Sequence, residues 1–391
     1  MNRPLRILVV VNLALDPRFG AARVFLEVTE EWTKAGHVVE KFCLTDAFPN
    51  IPMSPVTFAF RRWFFVYKAA SFVRKHRDRF DVIDALIGSV PFSKKGLRFK
   101  GLLVARSVGL PQLYDRFEQS VGKRWPGFSK GKLAGRILRS FMRWRSLRAA
   151  DKSIRRADLV NLPNKEEASY LRHETGLENE RLIVQPYGLS IERRDALRRS
   201  AMSATARLEQ KKICFIGMWN PRKGSRDWAE IIRAVRKQVP EASFFFLGTM
   251  VDSQIVLRDL GEQASDAVQS VADYEPDELP QLLADCTVGA FPSFVEGFGL
   301  AVIEQLAAGL PTVAYDVAGP RHILGEQLPE LLVPVGDVAS FARAISRVLR
   351  CSHEDYQALS QRSVETANRF SWPTIARETL RLYETALSDR L

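Results

Sequence analysis

Two carboxylates and a pair of cations stand where their types and spacing suit chemistry. The carboxylates are Glu296 and Glu304, spaced E-x7-E within residues 291–321, FPSFVEGFGLAVIEQLAAGLPTVAYDVAGPR. Between them lies the turn Gly297-Phe298-Gly299. Glycines at the head of a helix let backbone N–H groups approach a phosphate, and the helix end favours negative charge. Glu304 falls about one and a half turns into that helix, where a carboxylate can accept hydrogen bonds from ribose hydroxyls. It stands among Val302, Ile303, Leu306 and Ala307, so its burial calls for a partner. The cations are Arg222 and Lys223, in the loop MWNPRKG that follows Gly217. A glycine-flanked loop with paired cations suits an anionic diphosphate through charge-assisted hydrogen bonds. Taken singly, each of these side chains is equally well a solvated surface charge.

The elements that must position them alternate. Residues 287–291 read as a buried strand, 300–307 as an apolar helix stopped by Gly309 and Leu310-Pro311, and 312–317 as a second strand. Upstream, Lys212–Gly217 is a strand, and Trp228, Ile231, Ile232 and Val235 mark a helix after the cationic loop. Strand patterns recur at 242–248, 268–273 and 331–335, with helices near 255–260 and 277–285 and another starting after Asp337. The first half repeats the rhythm, with strands at 6–12, 38–44, 81–87, 101–107, 158–162 and 182–188. Their near-continuous apolar runs suit parallel sheets covered on both faces. The alternation predicts an α/β chain of two doubly wound, Rossmann-like domains facing across a cleft. Residues 1–195 form the first domain and 205–370 the second, with polar residues 190–210 as the linker. Residues 371–391 form a last helix.

The whole pattern PS-x2-EGFGL-x3-E-x4-G-x-P-x-V resembles the donor-binding motif of the GT-B glycosyltransferases of family four, the retaining group 1 transferases. The resemblance implies that Glu304 holds the ribose of a sugar nucleotide. Glu296 would lie beside the donor sugar, and Gly297, Phe298 and Gly299 would face the diphosphate. Arg222 and Lys223 match the R-K-G part of the family's diphosphate loop beside Gly217, while Met218 replaces the arginine often found after that glycine. Glu296 and Lys223 are then the catalytic candidates, and the C-terminal helix is expected to cross back to the first domain. Gly20-Ala21 stands where the family has a Gly-Gly acceptor-side loop; Gly20 serves equally well simply to start a helix. Where the family carries a histidine near the transferred sugar, this chain has Val108 in Ser107-Val108-Gly109. Two rivals follow: a binding-only or catalytically altered relative, and another GT-B enzyme such as a sugar-nucleotide epimerase.

Composition narrows the partners. Four scattered cysteines, Cys43, Cys214, Cys286 and Cys351, form no metal spacing and read as reduced core thiols. With no Asp-x-Asp or histidine-rich ligand set where a diphosphate would sit, no metal or other cofactor is expected. No signal peptide is read at Leu5–Val11, which is apolar but short, and no apolar run reaches about 18 residues. The protein is therefore expected in the cytoplasm. Residues before Thr205 carry 38 Lys and Arg against 20 Asp and Glu, and those from Thr205 onward 19 against 25. The basic half contains two helix patterns rich in aromatics and cations, Thr57–Arg79 and Lys130–Arg156, the latter with Leu133, Ile137, Phe141 and Trp144 at helical spacing. No nucleic-acid motif accompanies them, and nucleic acid is not an expected partner. The expected partners are a nucleotide sugar, a glycan or lipid-linked acceptor, and an anionic membrane face on which the protein sits peripherally. Trp63, Phe64, Tyr67, Phe141 and Trp144 are expected to pack against the sheet and leave only charges outside, giving adsorption with little insertion.

Overall fold

The computed structural model describes residues 3–49, 55–125 and 133–389. The chain divides into two compact units, Met1–Pro186 together with Trp372–Leu391, and Tyr187–Ser371. Each is built on one six-stranded sheet, and every strand pair is parallel.

In the first unit the strands are β1 (Arg6–Val11), β2 (Val38–Cys43), β3 (Val82–Leu86), β4 (Leu102–Arg106), β5 (Leu159–Leu162) and β6 (Leu182–Val184). Their order is β2-β1-β3-β4-β5-β6. β1 is flanked by β2 on one side and β3 on the other, so the winding direction reverses between β1 and β3. Every residue of β3 and β4 is buried, which explains their largely apolar sequences. The exceptions within them are Asp84 and Arg106, which neutralise each other at 2.6 Å. Tyr383 joins this buried pair, donating to Asp84 and accepting from Arg106 at 3.0 Å. Tyr383 lies on the C-terminal helix, Trp372–Ser388, which packs on the helix Gly20–Lys34 through the rings of Trp32 and Tyr383. Trp372 adds a hydrogen bond from its indole N–H to Glu27.

The second unit holds β7 (Lys212–Ile216), β8 (Ser243–Leu247), β9 (Val268–Val271), β10 (Val288–Phe291), β11 (Thr312–Tyr315) and β12 (Leu332–Val333), ordered β12-β11-β10-β7-β8-β9. Here the winding reverses between β7 and β10. In a doubly wound sheet the loops leaving the carboxyl ends of two such strands diverge to opposite faces and leave a crevice for ligands.

Two sequence expectations need correction. The first unit ends at Pro186 rather than near 195, and residues 190–210 are no linker. They fold as helices Ile191–Ser200 and Ala204–Gln210 within the second unit. Their buried residues are few, Leu197 on the first and Arg207 and Leu208 on the second. The Arg207 guanidinium donates to the carbonyl of Ala308 and to Ser360 Oγ.

The second correction concerns the basic helices. The first runs Pro55–His76 and buries Phe65, Val66, Ala69, Ala70 and Val73 along one face. That face leaves Phe64 and Tyr67 turned out, 53% and 52% exposed. On the helix Leu133–Arg156, Phe141 and Trp144 are likewise exposed, and among its described side chains the buried ones include Ala150, Ser153 and Ile154. Residues 130–132 lie outside the described residues, as do the side chains of Leu133 and Ile137. The aromatics therefore do not all pack on the sheet. They contact one another instead: Trp63 lies 5.6 Å from Phe141, and Phe141 6.0 Å from Trp144.

Candidate functional site at the second switch point

Two loops meet where the winding of the second sheet reverses. The first leaves β7 at Gly217. Asn220 caps the short 3-10 turn Pro221–Lys223 by accepting from the Lys223 N–H at 3.1 Å. Gly224 ends the turn with φ at +85°, and a Cβ there would stand 2.4 Å from the Pro292 carbonyl oxygen. Glycine is required on both counts, by the left-handed backbone and by the close approach. The second loop leaves β10 at Phe291. Its Phe294 N–H donates to the Arg222 carbonyl at 2.8 Å, which ties the two loops together.

This tie brings the charged side chains together. Lys223 forms a close ion pair with Glu296, and Arg222 stands 3.8 Å from the same carboxylate oxygen. The Lys223 ammonium also lies 4.7 Å over the Phe291 ring. All three side chains are largely shielded, with 12–19% of their surface exposed. Burial pushes the Lys223 ammonium down, and the nearby Arg222 charge adds to this; the Glu296 charge opposes without overcoming it. For Glu296, burial acts to raise the carboxyl. The Lys223 and Arg222 charges outweigh it and hold the group below its ordinary range. The site thus presents two cations and one anion in a poorly hydrated corner, with net positive charge.

Gly299 precedes the helix Leu300–Ala307 with φ at +102°, a conformation that favours glycine. Beyond the turn, the Glu296 carbonyl accepts from Gly319 N–H at 3.3 Å, and a Cβ on Gly319 would stand 2.1 Å from the Phe298 carbonyl oxygen. Phe298 is 2% exposed and packs edge-on against Tyr187 and Phe370. Its side chain is therefore a wedge in the aromatic core of this unit, and only its backbone belongs to the turn. If the turn faces a diphosphate, Phe298 takes part through its backbone and not through its ring.

Glu304 is 2% exposed and has the partner that its surroundings call for. Arg193, from the stretch read as a linker, donates from Nε and Nη2 to one Glu304 oxygen at 2.7 and 2.6 Å. Its Nη1 donates to the Pro276 carbonyl at 2.9 Å. Arg193 is the functional-site residue that sequence reasoning missed. The only signal was an arginine in an otherwise polar helix far along the chain.

The remaining candidates lie in the first unit. Gly20 is the first residue of the helix Gly20–Lys34 and has no left-handed backbone, so it starts the helix beside Ala21. Val108 sits half-buried in the loop after β4. That loop is held by the buried Glu167, which accepts from Ser107 Oγ at 2.7 Å and from Leu110 N–H at 3.2 Å. Among the described residues, no group of three or more His, Cys, Asp or Glu side chains is placed to hold a metal ion.

With the geometry in view, comparison with known proteins is informative. Residues 210–351, which contain both loops and the E-x7-E pair, match the family described as glycosyl transferases group 1. This part of the chain belongs to that family. A relative is the D-inositol 3-phosphate glycosyltransferase of Corynebacterium kroppenstedtii, 26% identical over 203 residues, or 49% of this chain and 44% of that protein. Another is the GDP-mannose:cellobiosyl-diphosphopolyprenol alpha-mannosyltransferase of Komagataeibacter xylinus, 28% identical over 36% of this chain and 37% of that protein. The match spans less than half the length of these curated relatives. Among solved structures, sucrose-phosphate synthase from Thermosynechococcus elongatus superposes with a TM-score of 0.74 at 18% identity, covering 98% of this chain and 100% of that one. The chain therefore has the GT-B fold, an α/β architecture of two Rossmann-like domains.

Proposed function

We propose that this chain is a retaining glycosyltransferase that moves a hexose from a nucleotide diphosphate sugar to a lipid-linked or glycan acceptor. The observation that carries this reading is the joining of Arg222, Lys223 and Glu296 at the β7/β10 switch point, in the segment that belongs to group 1. A donor diphosphate brings negative charge to a corner that is net positive and poorly hydrated, where fixed cations act strongly. Charge on the leaving diphosphate grows as the glycosidic bond breaks, so Lys223 and Arg222 contribute more in the transition state than in the ground state. Glu296, held ionised beside them, orients the sugar and offers negative charge to an oxocarbenium-like carbon. Glu304, fixed by Arg193, accepts from the ribose hydroxyls. The reading needs no metal, because two side-chain cations already meet the leaving group; turnover is expected to survive EDTA.

The acceptor side of the proposal rests on the first unit. Its exposed Phe64, Tyr67, Phe141 and Trp144 lie on helices rich in Lys and Arg, the composition of a surface that sits in lipid headgroups. Each cation near an anionic leaflet contributes about 1 kcal/mol, and the exposed rings add shallow insertion. No helix among the described residues is long and apolar enough to cross a membrane, so the contact proposed is peripheral. The Komagataeibacter xylinus relative is named for a GDP-mannose donor and a diphosphopolyprenol-linked acceptor, which supports the same reading.

A second reading follows from Val108. That loop offers no titratable side chain at the position where related enzymes carry a histidine, which favours a relative that binds donor without turning it over. Donor chemistry separates the two. A thermal-shift screen with UDP, GDP, ADP and their sugars should find a nucleotide that stabilises by about 2.7 kcal/mol at 100 times its Kd. Transfer or slow hydrolysis of that donor should then fall in Lys223→Ala chiefly through kcat. Binding without any turnover would establish the binding-only reading; a Lys223→Ala effect confined to KM would remove lysine from the chemistry.

A further inference from the structure

The first unit contains a cavity of its own, lined by residues that the donor chemistry does not use. A cavity of about 600 Å³ opens at the carboxyl end of its sheet, within the ordinary range for small-molecule sites. Asn12 follows β1 directly, Ile87 and Gly88 follow β3, and all three line it. β1 and β3 are the pair between which the winding reverses, so the cavity stands where a doubly wound sheet leaves its ligand crevice.

Its lining has two characters. Six cations border it, Arg62, Arg143, Arg145, Arg148, Lys152 and Arg156, and no carboxylate is among the described lining residues. Asp115 pairs with Arg143 at 3.0 Å. Arg145, Arg148 and Lys152 make no ion pair with described residues; Arg145 stacks 4.2 Å from the Trp63 ring and Arg148 5.2 Å from Trp144. Like charges crowded around one concavity repel, and an anion bound there relieves them. The remaining wall is apolar and aromatic, with Trp63, Val66, Tyr67, Phe92 and Met142. Tyr67 and Trp144 are half exposed, so the wall is continuous with the aromatic patch on the two basic helices.

We propose that this cavity binds an amphiphile carrying a phosphate or diphosphate on a hydrocarbon chain, one molecule at a time. The anionic head meets Arg145, Arg148 and Lys152, and the chain lies on Trp63 and Tyr67. The inference deepens the glycosyltransferase reading, because such a molecule is the acceptor class that it requires. A cavity for a soluble sugar phosphate would need polar groups in place of the aromatic wall. A cavity for a neutral lipid would not gather six cations.

The test uses the full chain and three probes: farnesyl diphosphate, farnesol and inorganic diphosphate, followed by tryptophan fluorescence and calorimetry. Farnesyl diphosphate should bind at least tenfold more tightly than either fragment. The double variant Arg148→Glu/Lys152→Glu should weaken it at least tenfold, with an unchanged far-UV spectrum showing that it folds; Trp63→Ala should weaken it by a similar factor. Phosphatidylglycerol vesicles distinguish bulk lipid from a single amphiphile. Vesicle binding without farnesyl diphosphate binding overturns the cavity assignment and leaves surface adsorption alone. Equal affinity for the diphosphate and its fragments, or indifference to both variants, also overturns it. Sugar-nucleotide binding is measured separately on the unaltered chain. Its absence defeats the glycosyltransferase reading, whereas its presence with no farnesyl diphosphate binding defeats only this inference.

Discussion

Arg193→Ala tests the most consequential contact in the second unit. Arg193 and Glu304 are 111 positions apart, yet both are shielded, with 11% and 3% of their side chains exposed. The substitution removes both hydrogen bonds to the Glu304 oxygen and leaves a carboxylate with almost no access to water. Breaking one side of such a buried pair costs about 3–5 kcal/mol, chiefly through the uncompensated charge. With a urea slope near 3 kcal/mol/M for a large domain, the midpoint should fall by roughly 1–1.7 M at unchanged slope. Adding Glu304→Gln should recover much of the loss, because a neutral amide carries a far smaller desolvation penalty. Urea titrations of the wild type, both single variants and the double variant supply the cycle. A midpoint shift below about 0.3 M for Arg193→Ala, or a double variant as unstable as the sum of the singles, would refute the claim that Arg193 neutralises Glu304. Donor affinity gives a second readout: Glu304→Ala in a folded protein should lose roughly 1.5–3 kcal/mol per charged hydrogen bond to the ribose, and unchanged nucleotide affinity would sink that assignment.

Three further perturbations follow from the same geometry. Glu296 is held below its ordinary value of 4.5, so the unfolded chain binds the extra proton; its stabilising contribution is full above that value and fades as pH falls through the folded one. The stability advantage of wild type over Glu296→Gln, read as urea midpoints across pH, should therefore shrink on acidification, and a constant difference would contradict the pairing with Lys223. Gly224→Ala places a Cβ 2.4 Å from the Pro292 carbonyl oxygen at φ +85°, so it should cost at least about 1–3 kcal/mol and weaken nucleotide binding together with stability; a neutral result would mean that the two loops do not touch. Tyr383→Phe removes the hydroxyl shared by Asp84 and Arg106 and should cost about 1–3 kcal/mol, visible as faster amide exchange in the C-terminal helix.

The chain announced a good deal by itself. Parallel strands buried on both faces must be apolar throughout, so β1, β3, β4, β7 and β10 stood out as runs, and the helices between them as 3.6-residue patterns. Local chemistry was equally legible at Gly299, which heads a short helix, because that backbone demand acts within a few residues. The need of Glu304 for a partner was readable too, since a carboxylate among valine, isoleucine and leucine is not solvated. The identity of that partner was decided only by the tertiary structure. Arg193 lies in a stretch whose composition resembles a linker, and nothing local distinguishes a buried guanidinium from a solvated one. The same reason hides Glu167, which stands in the first turn of the helix Lys165–Thr175 and holds the loop of Val108. It also hid the aromatic patch. Phe64 and Phe65 are neighbours of one type, and a helix turned by 100° per residue buries one and exposes the other. Periodicity shows that a helix has an apolar side; only the packed sheet determines which residues of that side it covers.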